Sequence, residues 1–206
     1  MVARLPTTDD RMAPFSLVSP NRASSIAGVA VGQGIDRPQG PEPAALQAVQ
    51  ARWMERLLRC AQRVGEDGEI PVAAAVLDQH GRCIGWGCNR RERQQDPLGH
   101  AELVALRQAS QLLGDWRLNS CTLLVTLEPC PMCAGALVQA RIGTLVYGAP
   151  DPKRGAVGSC LDLVRHPSAH HHMRVVGGLA GEQAGELLKA WFRQRRQPPG
   201  GSQPQA

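Results

Sequence analysis

Two short motifs carry the residues that could do chemistry. His100-Ala101-Glu102 supplies an imidazole and a carboxylate, and Pro129-Cys130-Pro131-Met132-Cys133 supplies two thiols. A catalytic zinc takes three protein ligands and keeps a fourth position for water, whereas a structural zinc closes its shell with four. His100, Cys130 and Cys133 make the three, and Glu102 is left over as a base that can move the protons of an activated water. The rival is a four-cysteine structural site that recruits Cys83 and Cys88. Five residues along a strand put those two on opposite faces, and such a site leaves Glu102 without a role.

The elements around the motifs support the catalytic arrangement. Both motifs fall at the starts of predicted helices, His100–Leu113 and Pro131–Arg141. Unpaired backbone N–H groups and the helix dipole favour negative charge there. Cys130 falls at the N-cap, and Pro131 at the first helical position, where its missing N–H costs nothing. Two thiols at one helix start are expected to ionise readily, as a metal requires. His100 and Glu102, two residues apart, point in different directions, so one can hold metal while the other faces substrate.

Stepping outward, 44–64 places Leu46, Val49, Trp53, Leu57 and Cys60 at helical spacing, and Gly65 and Gly68 end that helix. Ile70–Leu77 and Arg82–Cys88 read as strands joined through a turn at His80-Gly81, a hairpin. Asn89–Gly99 is a polar loop with three arginines. Strands follow at Cys121–Leu127 and Thr144–Gly148. Residues 149–170 form a Gly/Pro-rich connection with a short helical turn near Leu161–Val164. A strand at Arg174–Val176 and a helix at Glu182–Arg196 complete a domain spanning 44–196. The order α-β-β-α-β-α-β-β-α predicts a mixed five-stranded sheet with helices on both faces, an α/β three-layer α-β-α architecture. Residues 1–43, rich in Pro, Gly, Ala and Ser, read as a disordered extension, and 197–206 as a flexible tail.

Composition bounds the function classes. With 43% hydrophobic and 20% charged residues, the 206-residue chain fits a globular domain. No apolar run approaches the ~18 residues that a membrane span needs, so no membrane partner is expected. The seven cysteines are odd in number and lack a secretory signal before them, which points to a reducing, cytoplasmic setting. Cys60, Cys121 and Cys160 read as small core residues. Residues 1–43 hold four arginines and four acids, so the net charge of +5 resides in the rest. After Glu186 come Lys189, Arg193, Arg195 and Arg196 with no acid, a stripe that suits either nucleic-acid phosphate or a helix C-terminus.

The order H-x-E…P-C-x-x-C resembles the signature of zinc-dependent nucleobase deaminases. The stretches IPVAAAV, GWGCNR, DPLGHAELVALRQA, TLLVTLEPCPMCAGALVQARIGTLVYGA and GSCLDLVRHP, with the ending LLKAWFRQRRQ, resemble more narrowly the tRNA-acting adenosine deaminases of the cytidine deaminase-like superfamily. That resemblance covers about 145 residues, the size of one domain. It implies the cytidine deaminase-like fold and a homodimer with one zinc per subunit and no organic cofactor. The implied reaction converts the wobble adenosine of a tRNA anticodon stem-loop to inosine, mainly in an arginine tRNA with anticodon ACG. In it, Glu102 moves the protons while water displaces ammonia.

Other site residues follow from the resemblance one at a time. Asn89 matches an asparagine that hydrogen-bonds the flipped base, and on its own reads as a hairpin-closing turn residue. Asp151 matches an acid beside the anticodon backbone, and Ala149 a small pocket-wall residue. Lys153 and Arg154 stand where phosphate contacts or ordinary surface charges would. Glu128 reads as structural. The run His170-His171-His172 departs from the family's short Asn-His-Arg stretch and reads as a solvated loop. With aromatic residues at 3%, base stacking falls to Tyr147, Phe192, a Trp, His or Arg. A free-base or nucleoside deaminase on the same fold, and an inert zinc-stabilised RNA-binding module, are the alternatives.

Overall fold

A computed structural model describes residues 44–196, so the extension expected at 1–43 and the tail at 197–206 lie outside the described residues. The elements in chain order are α1 (Ala44–Glu66), β1 (Ala73–Leu77), β2 (Cys83–Cys88), α2 (Arg91–Gln94), α3 (Ala101–Leu113), β3 (Thr122–Leu127), α4 (Pro131–Gln139), β4 (Thr144–Ala149), β5 (Arg174–Gly177) and α5 (Gly181–Arg196). They form one five-stranded sheet in the order β2-β1-β3-β4-β5. β1 runs antiparallel to both β2 and β3, while β3, β4 and β5 are mutually parallel. The sheet is therefore mixed, as the element order predicts.

Its two faces hold separate apolar layers. On one, Ala101, Ala105 and Ala109 of α3 and Ala134, Leu137 and Val138 of α4 pack on Val76, Leu123, Val125 and Leu145. On the other, Met54, Leu57, Cys60 and Ala61 of α1 and the half-buried Leu187 of α5 cover Ala73, Ala75, Leu77, Leu124 and Val146. The buried stripe of α1 is Gln50, Met54, Leu57, Cys60, Ala61, Val64 and Gly65: Leu57 and Cys60 are buried as expected, while Leu46, Val49 and Trp53 lie at its half-buried margin.

Small residues set how closely α3 approaches. Gly85 and Gly87 share one face of β2, where a Cβ on the first would collide with the Ala105 carbonyl and on the second with Val104. Alternate glycines in a strand mark such a close approach. Here they draw the start of α3 against the sheet.

Three expectations need correction. A β-bulge beside Ile84, where the register slips between Val76 and Leu77, puts Cys83 and Cys88 on the same face of β2, toward α1. An extra residue reverses the alternation after it, so the opposite-face argument fails. The outcome stands for another reason: both thiols face α1, across the sheet from α3 and α4. Cys160 is exposed rather than core, its thiol 3.0 Å from the Pro152 carbonyl, whereas Cys60 and Cys121 are buried. No helical turn forms at 161–164; Val157 and Asp162 make a β-bridge instead. The polar loop before α3 also contains the short α2, which the sequence reading leaves as coil.

Candidate metal centre and active site

His100 and Cys130 are the N-caps of α3 and α4, both with extended backbone, and Pro131 follows Cys130 at the first helical position. The two helix starts meet. His100 Nδ1 lies 3.7 Å from Cys130 Sγ and 3.5 Å from Cys133 Sγ. Tetrahedral coordination at ordinary zinc–nitrogen and zinc–sulfur bond lengths separates an N and an S by about 3.6 Å, so the donor set fits zinc without rearrangement. It is the one such cluster among the described residues.

The thiols do not behave alike. A hydrogen bond from Cys133 and the nearness of His100 overcome burial and bring Cys130 down to about 3. Cys133, donating that bond, is held well above the ordinary thiol range by it and by burial, with the Glu102 charge adding to the effect. The two thiols titrate as one coupled pair, whose second proton is released against a cation. The hydrogen bond to Cys130 also raises His100.

Glu102 sits in the first turn of α3 and is 4% exposed. Burial pushes its carboxyl above the usual range, partly offset by a backbone N–H at the helix start and by His100. A carboxyl raised this way holds a proton more readily than a solvated one, as a group that takes and returns protons must.

Asn89 is buried, and its Oδ1 accepts the Ala101 N–H at 3.1 Å. That bond satisfies an unpaired amide of α3 and fixes the side-chain amide so that its NH2 donors remain for another partner. Both the turn reading and a base contact are therefore compatible with one residue.

The connection after β4 is organised by Glu128, which is 2% exposed at the end of β3. Its carboxylate accepts the N–H groups of Asp151, Val157 and Ser159, each at 3.0 Å, and the Ser159 hydroxyl. Asp151 Oδ1 in turn accepts the N–H groups of Lys153 and Arg154, whose side chains are exposed. Ala149 is buried at the end of β4, where its carbonyl accepts the Glu128 N–H at 2.8 Å. His170 and His172 are exposed, while His171 Nε2 lies 2.7 Å from the Ile142 carbonyl and anchors the chain before β5. The basic ending of α5 is partly spent within the fold. Arg195 covers Trp191 and reaches the Gly68 carbonyl, and Lys189 pairs with Glu186. Phe192 is exposed beside Trp191.

One residue escaped the sequence reading. Glu69, 1% exposed, accepts the N–H groups of Glu92 and Arg93 and so holds α2 in the loop that leads to His100. No local pattern marks it, because its partners lie 23 and 24 residues away.

Residues 48–149 match the cytidine and deoxycytidylate deaminase zinc-binding region. A tRNA-specific adenosine deaminase of Bacillus subtilis is 42% identical over 144 residues, covering 70% of this chain and 89% of that protein. The chain belongs to the tRNA-specific adenosine deaminases. A solved structure from a study of A-to-I editing by tRNA:A34 deaminases at the wobble position of transfer RNA shares 42% identity and a TM-score of 0.64, over 66% of this chain and 99% of that one. A guanine deaminase from Nitrosomonas europaea is 24% identical with a TM-score of 0.59, over 79% of this chain and all of that one, a likeness of fold alone. Zinc is accordingly the metal for His100, Cys130 and Cys133.

Proposed function

We propose that the chain converts the wobble adenosine of tRNA anticodons to inosine, mainly in the arginine tRNA with anticodon ACG, as a cytoplasmic homodimer. The observation that carries this reading is the His100–Cys130–Cys133 triangle with buried Glu102 beside it, in a chain closely similar to tRNA-specific adenosine deaminases.

When bound, zinc lowers the pKa of a coordinated water and so makes a nucleophile available at neutral pH. His100, Cys130 and Cys133 hold the metal from two helix starts. Glu102 accepts the proton of the attacking water and delivers protons to the purine ring and the departing amine. The C6–O bond forms first as N1 is protonated, and the C6–N6 bond then breaks as the second proton of the water passes to the amine, which leaves as ammonia. Asn89, its Oδ1 engaged by Ala101, donates from its NH2 to an acceptor of the flipped base. Asp151, with Oδ1 engaged by its own loop, offers Oδ2 to a ribose 2′-hydroxyl, and that contact favours RNA over DNA. Ala149 keeps the nucleotide path open by its small size, and Lys153 and Arg154 meet backbone phosphate.

The test is inosine formation at the wobble position of an ACG anticodon stem-loop, with free adenosine, cytosine and guanine in parallel. Conversion of the stem-loop alone is expected. Conversion of a free base alone makes the chain a small-molecule deaminase with the same zinc chemistry. No conversion by zinc-loaded protein returns the inert RNA-binding module.

A further inference from the structure

The outward side of α1 carries a charge pattern that the deamination chemistry does not use. Arg52, Arg56, Arg59 and Arg63 are all exposed and follow one another at intervals of four, three and four residues. At 3.6 residues per turn they fall within about 60° of the helix circumference and extend for about 16 Å along it. Core packing does not require them, since the buried stripe of α1 runs through Met54, Leu57, Ala61 and Val64. Only Arg56 has a ring partner, covering Trp53 at 4.9 Å, which keeps its guanidinium on the stripe.

The C-terminal end of α1, which carries Arg59 and Arg63, leads into the turn whose Glu69 holds the loop before His100. In the middle of the stripe, Arg56 acts on the Cys83 thiol of the edge strand β2 and offsets part of the rise that burial causes. Arg93 does the same for Cys88. Glu69 ties Arg93 and α2 to the turn after α1, where Arg195 of α5 also docks on Gly68. Exposed Arg93 and the four exposed arginines of α1 thus flank the Glu69 tie, in the part of the fold that leads to His100. The neighbouring acids are Glu55, Glu66, Asp67 and Glu92, of which Glu92 pairs with Arg91 at 3.3 Å. Arg82 lies off the path and is paired with Asp78 at 2.6 Å.

We propose that Arg52, Arg56, Arg59 and Arg63 bind backbone phosphates of the tRNA as it leaves the active site, extending the RNA footprint beyond the anticodon loop. A row of cations at helical spacing reads charge and not sequence, so the surface adds affinity shared by every tRNA that the site accepts. This inference rests on the tRNA reading above.

The experiment compares the full chain with R52Q/R56Q/R59Q/R63Q, with the matching four-lysine variant, and with R107Q/R117Q/R165Q, which removes charge elsewhere. The readouts are tRNA binding across a salt series, and KM and kcat for inosine formation. The glutamine variant should raise KM about tenfold or more with kcat unchanged, and flatten the log–log salt slope by roughly 3–4 units if all four arginines meet phosphate. The lysine variant should stay near wild type, because point charges suffice. An unchanged slope and KM overturn the proposal. So does an equal effect from the Arg107, Arg117 and Arg165 variant, which would reduce it to net charge. If the unmodified chain forms no inosine, the tRNA-editing reading fails, and the binding slopes still decide the fate of the stripe.

Discussion

Two buried glutamates near the metal centre have opposite environments. Glu102, at the start of α3, is enclosed with few donors and its carboxyl is pushed up by burial. Glu128, at the end of β3, is as thoroughly enclosed but is met by three backbone N–H groups and a hydroxyl. Burial opposes its ionisation too, yet those hydrogen bonds win and its carboxyl lies below the ordinary value of 4.5. A carboxylate that is fully satisfied has no reason to exchange its proton and serves as a fixed anchor. One that burial disfavours as an anion, with few donors to hold it, is suited to take up and release protons.

Substitutions at the metal ligands and around Glu128 separate the two roles. The largest effect should come from Cys133→Ala, which leaves two of three ligands: zinc content measured by atomic absorption should fall to background and activity with it. Glu128→Gln removes the negative charge from four hydrogen bonds. It should lower stability by about 2–4 kcal/mol in a denaturant titration and raise KM for RNA about tenfold, since the Asp151 loop loosens, while zinc is retained. Ser159→Ala deletes one of those donors and should cost about 1 kcal/mol in the same titration. The smallest effect is the pH response of that loop. Because the Glu128 carboxyl is depressed in the fold, the stability it contributes is present above 4.5 and is lost as pH falls through its lower folded value. Limited proteolysis at 150–160 should therefore be unchanged at pH 5 and rise only in stronger acid.

The parts of the molecule legible in the sequence are those set by local rules. The Cys130-Pro131 helix start, the hairpin through His80-Gly81 and the ligands at two helix N-termini all follow from short-range chemistry. What the sequence hid depends on contacts across the chain. The bulge beside Ile84 inserts one residue into a strand with no change in its apolar character, so Cys83 and Cys88 reverse their relation unseen. The conformation of 151–159 is set by Glu128, 23 to 31 residues earlier, which is why a bridge stands where a helical turn was expected and why Cys160 is left in solvent. Glu69 escapes for the same reason.

Turnover rests on the role proposed for Glu102, which moves protons at a zinc held by His100, Cys130 and Cys133. Glu102→Gln tests it most directly, with zinc content, tRNA affinity and single-turnover inosine formation measured on one preparation. Full zinc, unchanged tRNA binding and a rate reduced by roughly 10³–10⁴-fold are expected. Inosine formed at the unmodified rate by the zinc-loaded variant would contradict that role.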